Sequence, residues 1–385
     1  MRGSGALSGC LLVAAMALSA CAGADGGGAG DDIRVGMIFA QTGEVSALGV
    51  SARVGAVAAV DKINAAGGVD GRKLAVSFCD DGGDVARVVT CARQLIDEGV
   101  TAVVGPITSP LSLAAAPLTE AAGIPEFGLG SATAITEPVK PYLFRASSGN
   151  QEEMETLAEW LQKEGVKRVA VLTDNGASGQ DQAAILEKVL PAHGMEIVGK
   201  ESYELSDTDM TAQLTRLNAT GAEVLLTPGS VQQVAVIAIN RKALGMTMQQ
   251  VGGAGISSDS FIKLAGDAAE GIKCLGWKVS LHDKLDPADP MYAPIKEFVA
   301  SLEGDVRPDQ FSGLAWDSVH ILAKAMEAAD DPTDPKQVRD QIEATRGHVG
   351  TASTWTYGPD NHRGNDRSGF VMSELRGGAW VPLAS

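Results

Sequence analysis

The chain has 385 residues, 45% of them hydrophobic and 21% charged, with 46 glycines against 16 prolines. That is apolar material enough for two domains of roughly 150–200 residues, and it excludes collagen-like, mucin-like and largely disordered classes. Forty-eight acidic against 31 basic residues leave a formal charge of −17, which excludes a reader of nucleic acid or of an anionic lipid surface, since both need basic clusters.

Residues 1–20 read as an export signal, with Arg2 as the positive start and Ala6–Ala20 as an uncharged apolar stretch. That stretch is shorter than the roughly 20 residues that span a bilayer. Leu18-Ser19-Ala20-Cys21 resembles the lipobox of bacterial lipoproteins, in which the cysteine is diacylated and becomes the mature N-terminus. Residues 21–31 then form a Gly-rich tether, and acyl chains on Cys21 hold the protein to the extracytoplasmic face of a membrane while the folded part sits in water.

From residue 33 the pattern alternates strand and helix. Strand Ile33–Ala40 precedes helix Ala47–Ala66, which stops at Gly67-Gly68. Strand Lys73–Phe78, helix Asp84–Glu98, strand Thr101–Gly105, helix Ser109–Ala122 with Ser109 as its cap, and strand Ile124–Leu129 follow. Cys79 ends a strand and Cys91 lies on the next helix. In an exported protein a bridge between them closes a loop worth roughly 2–3 kcal/mol; two buried thiols are the alternative. Cys274, in the apolar run Ile272–Trp277, reads as a core thiol.

A second series begins after Tyr142–Ala146: helix 151–164, strand 168–173, helix 179–190, strand 196–203, helix 210–217, strand 223–227, helix 231–244 and strand 249–253. Gly165, Gly194, Gly221 and Gly245 stand where its helices should end. Beyond Asp259–Ala265, strand 272–279, helices 292–302, 311–329 and 336–344, and a hairpin over 368–383 complete the chain. Strands separated by helix-length segments predict α/β architecture, with parallel sheets covered on both faces.

The catalytic inventory is thin. Five histidines (His193, His282, His320, His348 and His362) are scattered without ligand spacing. There is no nucleophile elbow, phosphate loop or dinucleotide fingerprint, and Asp80, Asp81 and Asp84 read as a solvated loop. No enzyme, cofactor or metal is expected. The loops at the carboxyl ends of the first strands are a different matter. Gln41-Thr42-Gly43, Gly105–Ser109 and Gly128–Thr133 carry glycine and small hydroxyl residues where parallel sheets bind ligands and helix N-termini face anions.

The most specific stretches are Ala56–Gly71 (AVAAVDKINAAGGVDG), Gln41-Thr42-Gly43, Val104-Gly105-Pro106, Ala121–Pro125, Phe144-Arg145, Ala268–Gly271 and Trp316-Asp317-Ser318. In order and spacing the chain resembles the leucine/isoleucine/valine-binding protein family, the type I solute-binding receptors of ABC importers. The resemblance implies two Rossmann-like lobes joined by a three-segment hinge, with crossovers near 145–150, 270–280 and 348–356. Lobe 1 would comprise 32–147 plus 276–350 and lobe 2 148–275 plus 351–385. It also implies a small-molecule solute closed between the lobes, with an ABC permease and its ATPase as partners.

By position, Thr108, Ser109, the backbone of Leu129 and Gly130, and Ser131 would hold the solute's carboxylate and α-amino group. Phe311 aligns with a pocket aromatic. The second lobe departs from the family: Ser178 and Ser230 stand where aromatics are common, and Ala254 where an acid pairs with the ammonium. A buried ammonium without an acid costs several kcal/mol. So Asp174, Asp259 or Glu44 replaces that acid, or the solute has no α-amino group. The expected function is an extracytoplasmic receptor that takes a small polar solute, an amino acid or a related carboxylate or amide, to an ABC importer. A ligand sensor of the same fold that signals without transport is the alternative.

Overall fold

The computed structural model describes residues 32–304 and 306–383. The signal, Cys21 and the tether to residue 31 lie outside the described residues. The first series runs β1 Ile33–Ile38, α1 Ser46–Ala65, β2 Leu74–Cys79, α2 Val85–Asp97, β3 Ala102–Val104, α3 Ser109–Ala122, β4 Glu126–Gly128 and β5 Leu143–Arg145. The second comprises α4 Asn150–Lys163, β6 Arg168–Asp174, α5 Ala177–Ala192, β7 Glu196–Tyr203, α6 Thr211–Asn218, β8 Val224–Thr227, α7 Val231–Ala243, β9 Gln249–Gly252, α8 Asp259–Ala265 and β10 Lys273–Trp277. Helices α9 Tyr292–Ser301, α10 Gln310–Glu327 and α11 Pro335–Glu343 follow, then short strands β11 His348–Val349 and β12 Thr354–Trp355, and the hairpin β13 Phe370–Arg376 and β14 Ala379–Pro382.

Each series makes its own sheet. The first is parallel throughout, in the order β2-β1-β3-β4-β5. The second runs β14-β13-β10-β9-β8-β6-β7, parallel except for the C-terminal hairpin, which adds antiparallel to β10. Buried aliphatic residues such as Ile33, Val35 and Met37 on β1 and Val169 and Val171 on β6 give each sheet its core, as crossover helices on both faces require. Helix α10, though late in sequence, packs against α1 on the first lobe. Gly55 permits the approach, since a Cβ there would fall 1.9 Å from the Ser312 carbonyl oxygen.

The chain leaves the first sheet after β5. At that crossing the buried Arg145 guanidinium meets Glu152 of α4 at 2.8 Å, and the Gly149 N–H donates to the same carboxylate. The chain returns after β10. Gly276 and Trp277, placed with the first lobe by the sequence reading, pair instead with Val371 and Phe370 of β13 in the second sheet. The last crossing also falls later than residue 351. The Arg145 N–H donates to the His362 carbonyl and the Tyr357 hydroxyl to the Arg145 carbonyl, so this segment stays on β5 before β13 begins. Cys79 and Cys91 form a disulfide between β2 and α2, and Cys274 is a buried free thiol.

One buried acid has a consequence for stability. Glu126 on β4, between β3 and β5, is fully buried; its Oε2 meets the Thr119 hydroxyl at 2.8 Å and its Oε1 has no partner. Burial pushes its carboxyl up to about 8 from 4.5, the Thr119 hydrogen bond offsetting part of this. The native state therefore keeps a proton that the unfolded chain releases. Its stabilising share is full below about 4.5 and falls by about 1.4 kcal/mol per pH unit as pH rises toward 8. Glu126→Gln is expected to remove that slope from urea-unfolding free energies measured at pH 5, 6.5 and 8. Parallel wild-type and variant curves would contradict it.

Candidate functional site

The two sheets direct the carboxyl ends of their parallel strands toward a shared cavity of about 790 Å³. Its walls are the segments after β3, β4, β5, β6, β8 and β9, with the first turn of α10 closing one side. Of the residues singled out in the sequence, Thr108, Ser109, Leu129, Gly130, Ser131, Ser178, Ser230, Ala254 and Phe311 all line it.

The first-lobe wall is built on the amino end of α3. Thr108, in extended conformation, holds the cap position there, and Ser109 is the first helical residue instead of the cap. The Ser109 Oγ accepts the Ala132 N–H at 3.0 Å, which leaves its own proton free to donate into the cavity. Helix dipole and hydroxyl together make this end hospitable to a carboxylate. Gly130 lies against it. The Leu129 N–H is spent on the Pro106 carbonyl at 2.9 Å, so Leu129 is wall and not donor, against the sequence expectation. The Ser131 carbonyl accepts the Asn150 N–H at 3.1 Å, tying this loop to the start of α4.

Across the cavity, the Ser178 hydroxyl exchanges hydrogen bonds with the Asn150 amide at 3.3 and 3.4 Å. Ser230 holds the cap position of α7, and its hydroxyl donates to the Gln233 side-chain oxygen and not to a backbone N–H of the helix. The Ala254 N–H donates to Glu153 Oε1 at 2.7 Å, a contact for which Gly253 is needed, since a Cβ there would lie 2.2 Å from that oxygen. Phe311 supplies apolar surface beside Leu48, Leu314 and Trp277.

Gln41 does not reach the cavity. Its N–H donates to Asp80 Oδ1 at 2.8 Å, its amide to the Phe39 and Ala40 carbonyls, and Arg53 donates to its Oε1. Burial would raise the Asp80 carboxyl, but hydrogen bonds from Gln41, Thr42 and Gly82 outweigh it and hold the group well below the usual carboxylate range. The segment after β1 is thus held by Asp80.

The electrostatics of the cavity come from acids of which the sequence reading singled out Asp174 alone. Glu153 on α4, Asp174 at the end of β6 and Asp181 on α5 all line it, and among the described lining residues there is no lysine, arginine or histidine. Burial pushes Glu153 up to about 7, the Ala254 N–H working against the shift. Asp181 accepts from the Thr133 hydroxyl of the first lobe at 3.2 Å and from Asn150 Nδ2 at 2.8 Å, so it links the two lobes. Asp174 accepts the Gly176 N–H at 2.9 Å. Of the three acids considered as replacements at Ala254, Asp174 is in place. Asp259 instead pairs with Arg307 on the surface, and Glu44 is exposed away from the cavity.

Residues 32–378 match the family model described as periplasmic binding protein. The chain is 29% identical over 311 residues to the Leu/Ile/Val-binding protein BraC3 of Rhizobium johnstonii, covering 80% of this chain and 82% of that one. It is 26% identical over 320 residues to the leucine-, isoleucine-, valine-, threonine- and alanine-binding protein of Pseudomonas aeruginosa, covering 82% and 83%. Its fold is similar to that of the branched-chain amino acid transporter substrate binding protein of Streptococcus pneumoniae in complex with isoleucine, with TM-score 0.78, 25% identity and coverage of 91% and 100%. An extracellular ligand-binding receptor of Rhodopseudomonas palustris matches the fold with TM-score 0.81 at 24% identity, covering 91% and 99%. Two parallel sheets facing one cavity, a family match over nearly the whole chain and relatives that bind solutes converge: this chain belongs to the periplasmic binding protein family and is a solute binder, not an enzyme.

Proposed function

We propose that this protein captures a small polar solute of amino-acid type between its lobes and delivers it to an ABC permease and its ATPase. The observation that carries the reading is the shared cavity, with an anion-accepting helix end on one lobe and carboxylates on the other. That pairing suits a solute with a carboxylate at one end and an ammonium at the other. Thr108, Ser109, Gly130 and Ser131 would face the carboxylate, and Ser178, Ser230, Ala254 and Phe311 would surround the remainder. A solute touching both lobes stabilises the closed state by its differential affinity for it. Lipid attachment through Cys21 would keep the receptor beside its permease, resting on the Leu18–Cys21 sequence.

A thermal-shift screen of the purified protein across the twenty amino acids, simple amides, carboxylates and amines tests capture. A solute at about 100 times its Kd should add roughly 2.7 kcal/mol to stability. Silence over the whole panel would defeat the reading. Delivery is tested by uptake of the same solute in cells with and without the gene, where equal uptake would leave capture without transport.

A further inference from the structure

Three carboxylates face a cavity that no basic side chain among the described residues lines. Glu153 is nine-tenths buried, with one oxygen on the Ala254 N–H. Asp174 and Asp181 stand at the carboxyl end of β6 and in the first turns of α5. An acidic lining alone would be a solvated rim. A fourth group on the same wall is not: Gln182 is 7% exposed and lines the cavity, its Nε2 reaches Asn150 Oδ1 at 3.5 Å, and its buried Oε1 has no hydrogen-bond partner. A buried acceptor left unpartnered costs on the order of 1–3 kcal/mol unless something donates to it. The second-lobe wall therefore combines three carboxylates, each with a protein donor of its own, with one buried acceptor in need of a donor. Among the described residues no three acidic, histidine or cysteine side chains converge closely enough to hold a metal ion.

Resting on the solute-capture reading above, we propose that the solute carries a net positive charge, its cationic nitrogen groups held by Glu153, Asp181 and Asp174 with Gln182 Oε1. A zwitterion with one ammonium and one carboxylate brings no net charge. Closing the lobes over it would leave the carboxylates repelling one another in a site from which water has gone, where such interactions strengthen. A second cationic group offsets that repulsion. A basic amino acid fits the whole cavity, with its carboxylate toward the amino end of α3. An aliphatic diamine shares the cationic chemistry and forgoes that end.

Glu153 provides an independent readout. Ala254 N–H faces it from the segment after β9, and Asp174 and Asp181 line the same second-lobe wall; Cys274 on β10 is also near, and burial, with Glu153 beside it, holds that thiol well above its ordinary value. With burial lifting its carboxyl to about 7, a bound cation favours the ionised form, so affinity should rise from pH 6 to pH 8 and level off above.

The test is calorimetric titration of the purified protein with lysine, 1,4-diaminobutane, leucine and succinate, at low and high salt and at pH 6 and 8. Lysine or diaminobutane is expected to bind at least tenfold tighter than leucine, to weaken severalfold at high salt, and to bind better at pH 8. Lysine ahead of diaminobutane assigns the α3 end to a carboxylate, and the reverse order assigns a pure amine; either supports the inference. Glu153→Gln keeps an oxygen for the Ala254 N–H and should cost tenfold or more in cation affinity while flattening the pH dependence. Asp181→Asn should weaken the same solutes by a similar factor. Leucine or succinate binding as tightly as the cations would overturn the inference and leave solute capture standing. Failure of all four, with silence in the wider screen, would remove both. Should either variant fail to fold, the wild-type salt and pH dependences decide, and their absence overturns the proposal.

Discussion

Replacing Asp317 with alanine is expected to lower unfolding free energy by about 4 kcal/mol, among the largest effects available to a single side chain in this molecule. Asp317 lies on α10, fully buried, and both its oxygens are used twice. Oδ1 accepts the Thr351 N–H at 2.7 Å and the Thr351 hydroxyl at 2.9 Å; Oδ2 accepts the Ala352 N–H at 2.9 Å and the Trp355 indole N–H at 2.8 Å. Burial lifts the carboxyl to about 6, with those four donors pulling the other way, so the group is ionised at pH 7.5. Alanine would leave four donors facing a void from which water is excluded. Asparagine keeps the shape but turns its NH₂ toward two donors, so Asp317→Asn should recover only part of the loss. Urea unfolding of the three proteins at pH 7.5 gives the order wild type, asparagine, alanine. An alanine variant within 1 kcal/mol of wild type would mean that the 351–355 segment is not anchored by this carboxylate.

That segment matters because of where it leads. Residues 351–362 run from α10 to β5, where Tyr357 and His362 pack beside Phe144, and then into β13 of the other lobe. Arg145 and Glu152 hold the neighbouring crossing. A receptor that closes by hinge motion needs strands that bend at fixed points between rigid bodies. Buried hydrogen-bonded charges fix such points more sharply than apolar packing, because few other arrangements satisfy them.

Most of the fold could be read from residue pattern. The alternation of β-branched runs with helix-length segments gave β7 and α3 at their observed limits, because each is bounded by a glycine or a polar cap that physically ends it. The cavity wall on α3 was legible for a similar reason: small hydroxyl and glycine residues just past a parallel strand have few other uses. Gln41 sits at an equivalent edge and reads the same way, yet Asp80, 39 residues on, claims its N–H, a long-range hydrogen bond that no local pattern carries. The acids were hidden by their surroundings. Glu153 belongs to the run Gln151-Glu152-Glu153-Met154-Glu155 and Asp181 to Gly179-Gln180-Asp181-Gln182, both of which look like solvated helix starts until the second sheet brings Ala254 and the first lobe brings Thr133. The late third crossing was hidden for the opposite reason. Residues 356–369 have no periodicity, and the aromatic contacts and long-range hydrogen bonds of Tyr357 and His362 that hold them to the first lobe are not carried by any local pattern.

The second large effect falls on binding and not on folding. Gly130→Val is expected to weaken the tightest-binding amino acid by a hundredfold or more. The residue lies beside the amino end of α3 so closely that a Cβ would come within 2.4 Å of the Ser109 amide nitrogen and 2.6 Å of its Oγ. Its backbone is not left-handed, so the requirement for glycine there is one of space alone. A larger side chain must push the 129–132 loop away from α3, which breaks the Ala132 N–H bond to Ser109 and fills the place where a carboxylate would meet the helix end. A hundredfold loss corresponds to about 2.7 kcal/mol, comparable to losing a charge-assisted hydrogen bond together with its helix-end field. Ser109→Ala should cost less, since it removes one hydroxyl and leaves the helix end open. Calorimetric Kd values, read beside melting temperatures to confirm that each variant folds, separate the steric effect from destabilisation. If the valine variant folds and still binds within threefold of wild type, the solute does not use the amino end of α3, and the carboxylate-reading role of Thr108, Ser109 and Ser131 falls with it.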